Sequence, residues 1–315
     1  MKDINSLTDN KKWLEMPTGP TGERPSNPVA GQIKYDTTQS VLEYYNPTVT
    51  GWRAVTNAGA DAAYVTATGG TVTTDGDYKI HTFLSSANFI VSDAGDAGGS
   101  NTVEILLVAG GGSGGGSSVT GSSSSERGGG GGAGGYRTFT AFAVSATSYA
   151  MVIGAGASTN SDGSNSTGFG YSATGGGAGG YHALGSATMD GRNGGSGGGG
   201  MWAGGGGGKG TGNLGSYTPV EGYDGGLAAG GYYGGGGGGS SAAGTDSVTG
   251  TGGGGAGTVN IINGSSVTYA AGGDVATAVA GTANRGNGGA SELPNVHAYP
   301  NGGSGIIIVR YKFQN

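Results

Sequence analysis

Apolar positions along this chain come in short groups with strand spacing, separated by tracts of nearly pure glycine. Ile33 and Tyr35 alternate with polar residues, Val41 to Tyr45 follow, and then Trp52 to Val55, with turn residues at Asp36–Ser40 and Asn46–Gly51. This spacing predicts a three-stranded meander over 31–55. It is too small to be stable alone, so its apolar face calls for a cover from another copy of the chain or a larger assembly. Residues 1–28 are rich in proline and glycine toward their end and read as an irregular arm. Residues 57–71 read as a linker. Further strand patterns lie at 78–84, 88–93, 103–109, 136–144, 148–153, 259–262, 267–270 and 305–313. Two of these, VEILLVA from Val103 and GIIIVRY from Gly305, are continuous apolar runs, as expected of strands covered on both faces. They bracket the glycine-rich region, so a sheet that pairs them would clamp it.

Composition changes the picture. Of 315 residues 79 are glycine, yet only 11 of those precede residue 110. The tracts at 110–116, 128–135, 175–180, 194–200, 204–210, 234–239 and 252–257 have similar lengths. Extended at about 3.1 Å per residue they would span roughly 20–25 Å, which suggests rods crossing one block. Only 8 prolines and no three-residue glycine period exclude collagen. Without Cβ atoms, polyglycine II helices can pack backbone to backbone, each amide bonding sideways to a neighbouring carbonyl. Ordering a residue costs about 1–2 kcal/mol and a backbone hydrogen bond returns about 1 kcal/mol, so such rods should not order alone. A disordered glycine brush is the competing reading. The expected fold is all-β: an arm and β-meander at 1–56, a linker at 57–71, and at 72–315 a strand-framed sandwich of packed polyglycine II helices, with essentially no α-helix.

Charge and chemistry mainly exclude. A net charge of −6 disfavours nucleic acid, and the scattered Arg127, Arg137, Arg192 and Arg285 do not make an RGG-type binder. There is no cysteine, and no apolar run approaches the roughly 18 residues of a membrane span. Residues 1–16 lack the apolar stretch of a secretory signal. AGGGGGKGT at 203–211 resembles a phosphate loop, but Ala203 and Gly210 replace the first glycine and the Ser/Thr after Lys209. His81, His182 and His297 lack ligand spacing, and Asp75 and Asp77 suit a hairpin turn. The expectation is a non-enzyme with no catalytic residues, metal or cofactor.

In order, YKIHTF, VEILLVAGGGSGGG, GGGGAGGYRTFT, SYAMVIGAGAS, NGSSVTYAAGG and NGGSGIIIVRYKF resemble the glycine-rich domain of bacteriophage tail-fibre and other virion proteins. That domain is similar in turn to the polyglycine-helix adhesin tips on the long tail fibres of T-even-like phages. The segment GQIKYDTT…LEYYN…GWRAV also resembles a short module of phage fibre proteins. AAGGDVATAVAG departs from the pattern, being glycine-poor where a long tract is usual. The resemblance implies a virion appendage, anchored to other virion proteins through its N-terminal region and forming a homo-oligomer, most simply a trimer. Its loops would touch a host surface glycan or outer-membrane component. The alternative is a passive structural or decorating fibre on tail, neck or capsid. An ice-binding bundle is a third possibility, disfavoured by irregular tract spacing.

Aromatic residues that interrupt the tracts are the candidate receptor contacts: Tyr181, His182, Trp202, Tyr217, Tyr223, Tyr232 and Tyr233. Rigid aromatics supply contact area at low entropy cost and stack on sugar rings. The competing role is sealing the rods from water, which suits Trp202, Tyr232 and Tyr233 because they adjoin glycine tracts. Tyr217 and Tyr223 lie in the longest loop between tracts, 214–224, and are the stronger candidates.

Overall fold

A computed structural model describes residues 17–47, 51–55, 62–116, 127–183, 186–202, 206–229, 233–248, 250–275, 277–291 and 299–314. The chain divides between Ala62 and Ala63 into two units. Among the described residues the sole helix is a 3-10 turn at Thr21–Glu23, and no helix is long and apolar enough to cross a membrane.

In the first unit β1 (Thr18–Gly19), β2 (Ile33–Asp36), β3 (Val41–Asn46) and β4 (Gly51–Ala54) form one sheet in that order. The expected meander is present. Part of the expected irregular arm is ordered into β1, which runs parallel to β2; residues 1–16 lie outside the described residues. Strand alternation buries Lys34, Asp36 and Glu43 on one face. Arg24 closes that face with a two-pronged bond to the Glu43 carboxylate, and Asp36 lies 3.6 Å from the same guanidinium. Burial pushes the Asp36 carboxyl up, but bonds from the Thr21 hydroxyl and the Gln39 and Thr38 N–H groups outweigh it and hold it below its usual value. The opposite face carries Ile33, Tyr35, Leu42 and Tyr44, with Ile33 46% exposed.

The second unit opens with β5 (Val65–Thr68), β6 (Thr71–Asp75), β7 (Tyr78–Phe83), β8 (Ala87–Ala94) and β9 (Thr102–Val108). Between and after glycine tracts come β10 (Tyr136–Ala143), β11 (Ser148–Met151), and the hairpins β12 (Ser166–Gly168)–β13 (Tyr171–Ala173) and β14 (Tyr181–Ala183)–β15 (Ser186–Thr188). The hairpin β16 (Thr258–Asn260)–β17 (Val267–Tyr269) and the final β18 (Ile306–Lys312) complete it. The linker is shorter than the expected 57–71, because β5 lies inside that span and joins the sheet β11–β8–β5. Its polar Thr-rich pattern hid a strand that needs only Val65 and Ala67 to point inward.

The two continuous apolar runs do pair. In the antiparallel sheet β10–β9–β18–β7–β6, β9 and β18 are central, with Ile306 opposite Val108 and Ile308 opposite Leu106. Alternate side chains enter two cores. Ile105, Leu107, Ile307 and Val309 join Phe83, Phe89 and Val91 between the two sheets, whereas Leu106, Val108, Ile306 and Ile308 pack under Tyr269 and Ile262 of the β16–β17 region and Ala133 of a glycine tract. Buried in the first core, His81 bonds the Gly69 carbonyl oxygen through Nδ1 at 2.7 Å and lies 3.0 Å from the Tyr311 hydroxyl through Nε2. A carbonyl only accepts, so Nδ1 carries the proton and Nε2 accepts from Tyr311. Burial lowers the His81 pKa, partly opposed by the Gly69 bond, and pushes the Tyr311 hydroxyl up to about 12.

The sheet runs directly into the rods. β9 continues as 109–116, and β10 and β18 emerge from 128–135 and 299–305. The β9–β10 ladder continues as Ala109 N–H to Gly135 O at 3.0 Å, then Gly112 to Gly132 and Gly115 to Gly129. The tract 128–135 shows the lattice best. Gly129, Gly132 and Gly135 donate to 174–180; Gly130 and Ala133 donate to 233–239; Gly131 and Gly134 donate to 286–291. Its carbonyls accept from 109–116, 194–200 and 270–275. A partner that changes with a period of three is the signature of a three-residue helical turn. This rod therefore has six neighbours, and the packed polyglycine helices are arranged hexagonally around it.

Glycine is needed there for close approach. A Cβ on Gly130 would sit 1.9 Å from the Gly273 carbonyl oxygen, and one on Gly129 1.9 Å from that of Gly199. At the rim, where rods run out, Asp and Asn side chains replace the missing carbonyls. Asn165 and Asp162 take the Gly175 and Ala178 N–H groups, Asp190 and Asn193 take Gly208 and Thr211, and Asp246 and Asp274 take Leu227 and Gly254. Asp162/Asn165, Asp190/Asn193, and the amides they cap are each three residues apart, one helical turn.

Gly130→Ala is expected to cost at least about 3 kcal/mol in denaturant unfolding, because rigid backbone lies on the added carbon. Gly250→Ala meets open space and should stay within about 0.5 kcal/mol of the parent. Stability should also depend on pH through the buried pair. Because the folded state lowers the His81 pKa, its contribution is full above the unfolded value of about 6.5 and declines as pH falls below it. The raised Tyr311 value makes stability decline again as pH rises above about 10. Unfolding free energies measured from pH 8 to 5.5 should slope in the parent and flatten in His81→Phe; equal slopes would refute the His81 assignment.

Candidate functional site

The rods have two unlike ends. At the sheet end, strands and short hairpins hold the chain. The other end, here the tip, includes Gly116, Arg127, Tyr181, Trp202 and Tyr233. The tip assignment follows from the ladder: Gly116, seven residues beyond Ala109, accepts from the His182 N–H at 3.0 Å.

Four of the seven predicted contact residues meet at the tip. Arg127 bridges Trp202 across backbones, and its guanidinium lies 4.7 Å from the Tyr233 ring centre. The Tyr233 carbonyl accepts from the Ser247 hydroxyl at 2.6 Å, and the Trp202 ring rests against Gly206. Tyr181 and His182 begin the β14–β15 hairpin. All four residues are half-buried. Tyr232 lies outside the described residues, as does His297.

Tyr217 and Tyr223, the stronger candidates by loop length, are elsewhere. Tyr217 lies at the sheet end, its ring 3.7 Å beneath the Arg137 guanidinium of β10. Arg137 also donates to Ser172 O at 2.7 Å and lies over Phe139, which stacks on Tyr171 at 3.9 Å. The Tyr217 face is thus already occupied. Tyr223 is a rod residue, bonded through its backbone to Gly239 and Gly197, with its ring 41% exposed on the flank of the block. The loop is not a free one, because 213–221 is folded tightly around Glu221. That carboxylate is fully buried and accepts from Thr174 N–H at 2.9 Å and Gly215 N–H at 3.3 Å.

The chain belongs to the glycine-rich domain family. The match to the family's sequence model spans residues 85–312, from the start of β8 to the end of β18. This span of the glycine-rich domain holds β8 to β18, the rods and the tip, while β5, β6 and β7 precede it. No match is found among curated proteins.

Arg127 is the tip residue that reading the sequence did not place there. It was weighed only as an isolated arginine, although it stands directly before the 128–135 tract. Chemically the tip offers ring faces, one guanidinium and one imidazole: groups for stacking and hydrogen bonding. Among the described residues no three His, Cys, Asp or Glu side chains are grouped to hold a metal ion. Lys209 in the phosphate-loop look-alike is paired with Asp224 at 3.2 Å.

Glu221→Ala would leave the part-buried backbone N–H groups of Thr174 and Gly215 without this acceptor. It should lower stability by about 2–4 kcal/mol, measured by denaturant unfolding, with Glu221→Gln intermediate because it keeps one acceptor. No loss in the alanine variant would show that this carboxylate does not hold the loop.

Proposed function

We propose that this glycine-rich domain chain is a bacteriophage virion appendage, a tail-fibre adhesin that contacts the host cell surface through the tip of its polyglycine block. One observation carries the reading: Tyr181, His182, Trp202 and Tyr233 gather with Arg127 at the rod end remote from the sheet. Aromatic edges beside a guanidinium suit a host glycan or outer-membrane component, since both stack on sugars and donate to their oxygens. The first unit would attach to other virion proteins, and its open face with Ile33, Tyr35, Leu42 and Tyr44 supports packing against another subunit, most simply in a trimer. On this reading the chain is a non-enzyme that resides in the virion. The alternative is a structural or decorating fibre with no receptor, for which the same rings would only seal the rods.

Particles carrying Trp202→Ala with Tyr233→Ala are expected to adsorb at least about tenfold more slowly, as for loss of binding hot spots, with assembly intact. Tyr217→Ala should lower the melting temperature without changing adsorption. Unchanged adsorption in the tip variant would instead favour the passive fibre.

A further inference from the structure

A second site lies at the sheet end. On the outer face of the five-stranded sheet, beneath the turn after β16, is a cleft of about 110 Å³. A polar row crosses its floor: Thr138 and Thr140 on β10, Glu104 on β9 and Arg310 on β18, the last two directly opposite in register. Ile261 and Ile262 form an apolar wall.

Arg310 is the anomaly. Its side chain is only 17% exposed, its guanidinium lies 4.0 Å from the Tyr78 ring centre, and its buried Nε has no hydrogen-bond acceptor among the described residues. The Glu104 Oε2 is 4.0 Å from Arg310 Nε, beyond hydrogen-bond reach. Largely buried guanidinium groups seldom go without an acceptor, because leaving such donors unmade is costly. The pair is charge-balanced: a free anion would meet the Glu104 carboxylate, and a free cation would meet Arg310. Hydroxyl groups suit both, since each can accept from the guanidinium and donate to the carboxylate. The isoleucine wall would receive a C–H face. The volume far exceeds the roughly 10–15 Å³ that holds one water, yet is below the ~300 Å³ of a drug-sized pocket.

We propose that this cleft binds one saccharide ring, or one ring edge of a longer glycan, through Arg310 and Glu104. It is separate from the tip and does not depend on the tip's role. The test is saturation-transfer NMR on the full chain with methyl α-glucopyranoside, methyl α-galactopyranoside, methyl α-mannopyranoside and N-acetylglucosamine at millimolar concentration, with glycerol and acetate as controls. At least one pyranoside should receive saturation, falling to background in Arg310→Met and in Glu104→Gln, whose half-exposed side chain can change without unfolding the chain. Transfer should persist in the Trp202→Ala/Tyr233→Ala variant. No transfer to any sugar would mean that the cleft holds water only. Equal transfer to acetate, survival in both cleft variants, or loss in the tip variant alone would also overturn the proposal.

Discussion

The distance between neighbouring backbones in the glycine block governs everything else in the second unit. Carbonyl oxygens of one rod approach the Cα atoms of the next so closely that a Cβ on Gly129 or Gly130 would lie 1.9 Å from one. At that spacing each amide reaches a carbonyl of a different rod, and three residues per turn send donors in three directions. A rod can satisfy its backbone only when surrounded, as 128–135 is by six neighbours. The block therefore has no partly formed version in which a few rods are content alone, and its rim needs special treatment. Asp162, Asn165, Asp190, Asn193, Asp246 and Asp274 provide it by placing a side-chain oxygen where another rod's carbonyl would sit. Each cap occupies an amide that could otherwise recruit a rod from another molecule.

Glycine loses more freedom on ordering than any other residue, so the lattice needs a template. β9, β18 and β10 serve as one because their ladders continue without interruption into 109–116, 299–305 and 128–135. The sheet sets which rods are neighbours and in what register, and its two cores supply the apolar burial that the rods lack. Ala133 and Ala270 mark the join, where methyl groups from the block enter the core under Leu106 and Ile308.

Much of this was legible in the chain itself. Valine and isoleucine runs with no polar alternation at 103–109 and 305–311 can only be strands covered on both faces, and their position on either side of the glycine region implied the clamp. The length of the tracts implied rods of one block. What stayed hidden depends on partners distant in sequence. β5 shows two inward apolar residues among threonines, too weak a pattern to separate from a linker. The six-fold packing of 128–135 is absent from a local sequence of glycines, which looks the same in the centre and at the edge. Tyr217 seemed a loop-tip aromatic because nothing nearby announces that Arg137, eighty residues earlier, lies over its ring.

The same geometry divides the loops by what they are free to do. At the sheet end, residues such as Glu221 and Arg137 are committed to backbone groups and rings already present. At the tip the lattice is satisfied by its own amides. Side chains there can change without disturbing a core, which is the property a variable recognition surface needs. For the proposed contact role, the end of the rod to which a loop belongs therefore weighs more than the loop's length. By that criterion Trp202 and Tyr233 outrank Tyr217, although all three interrupt glycine.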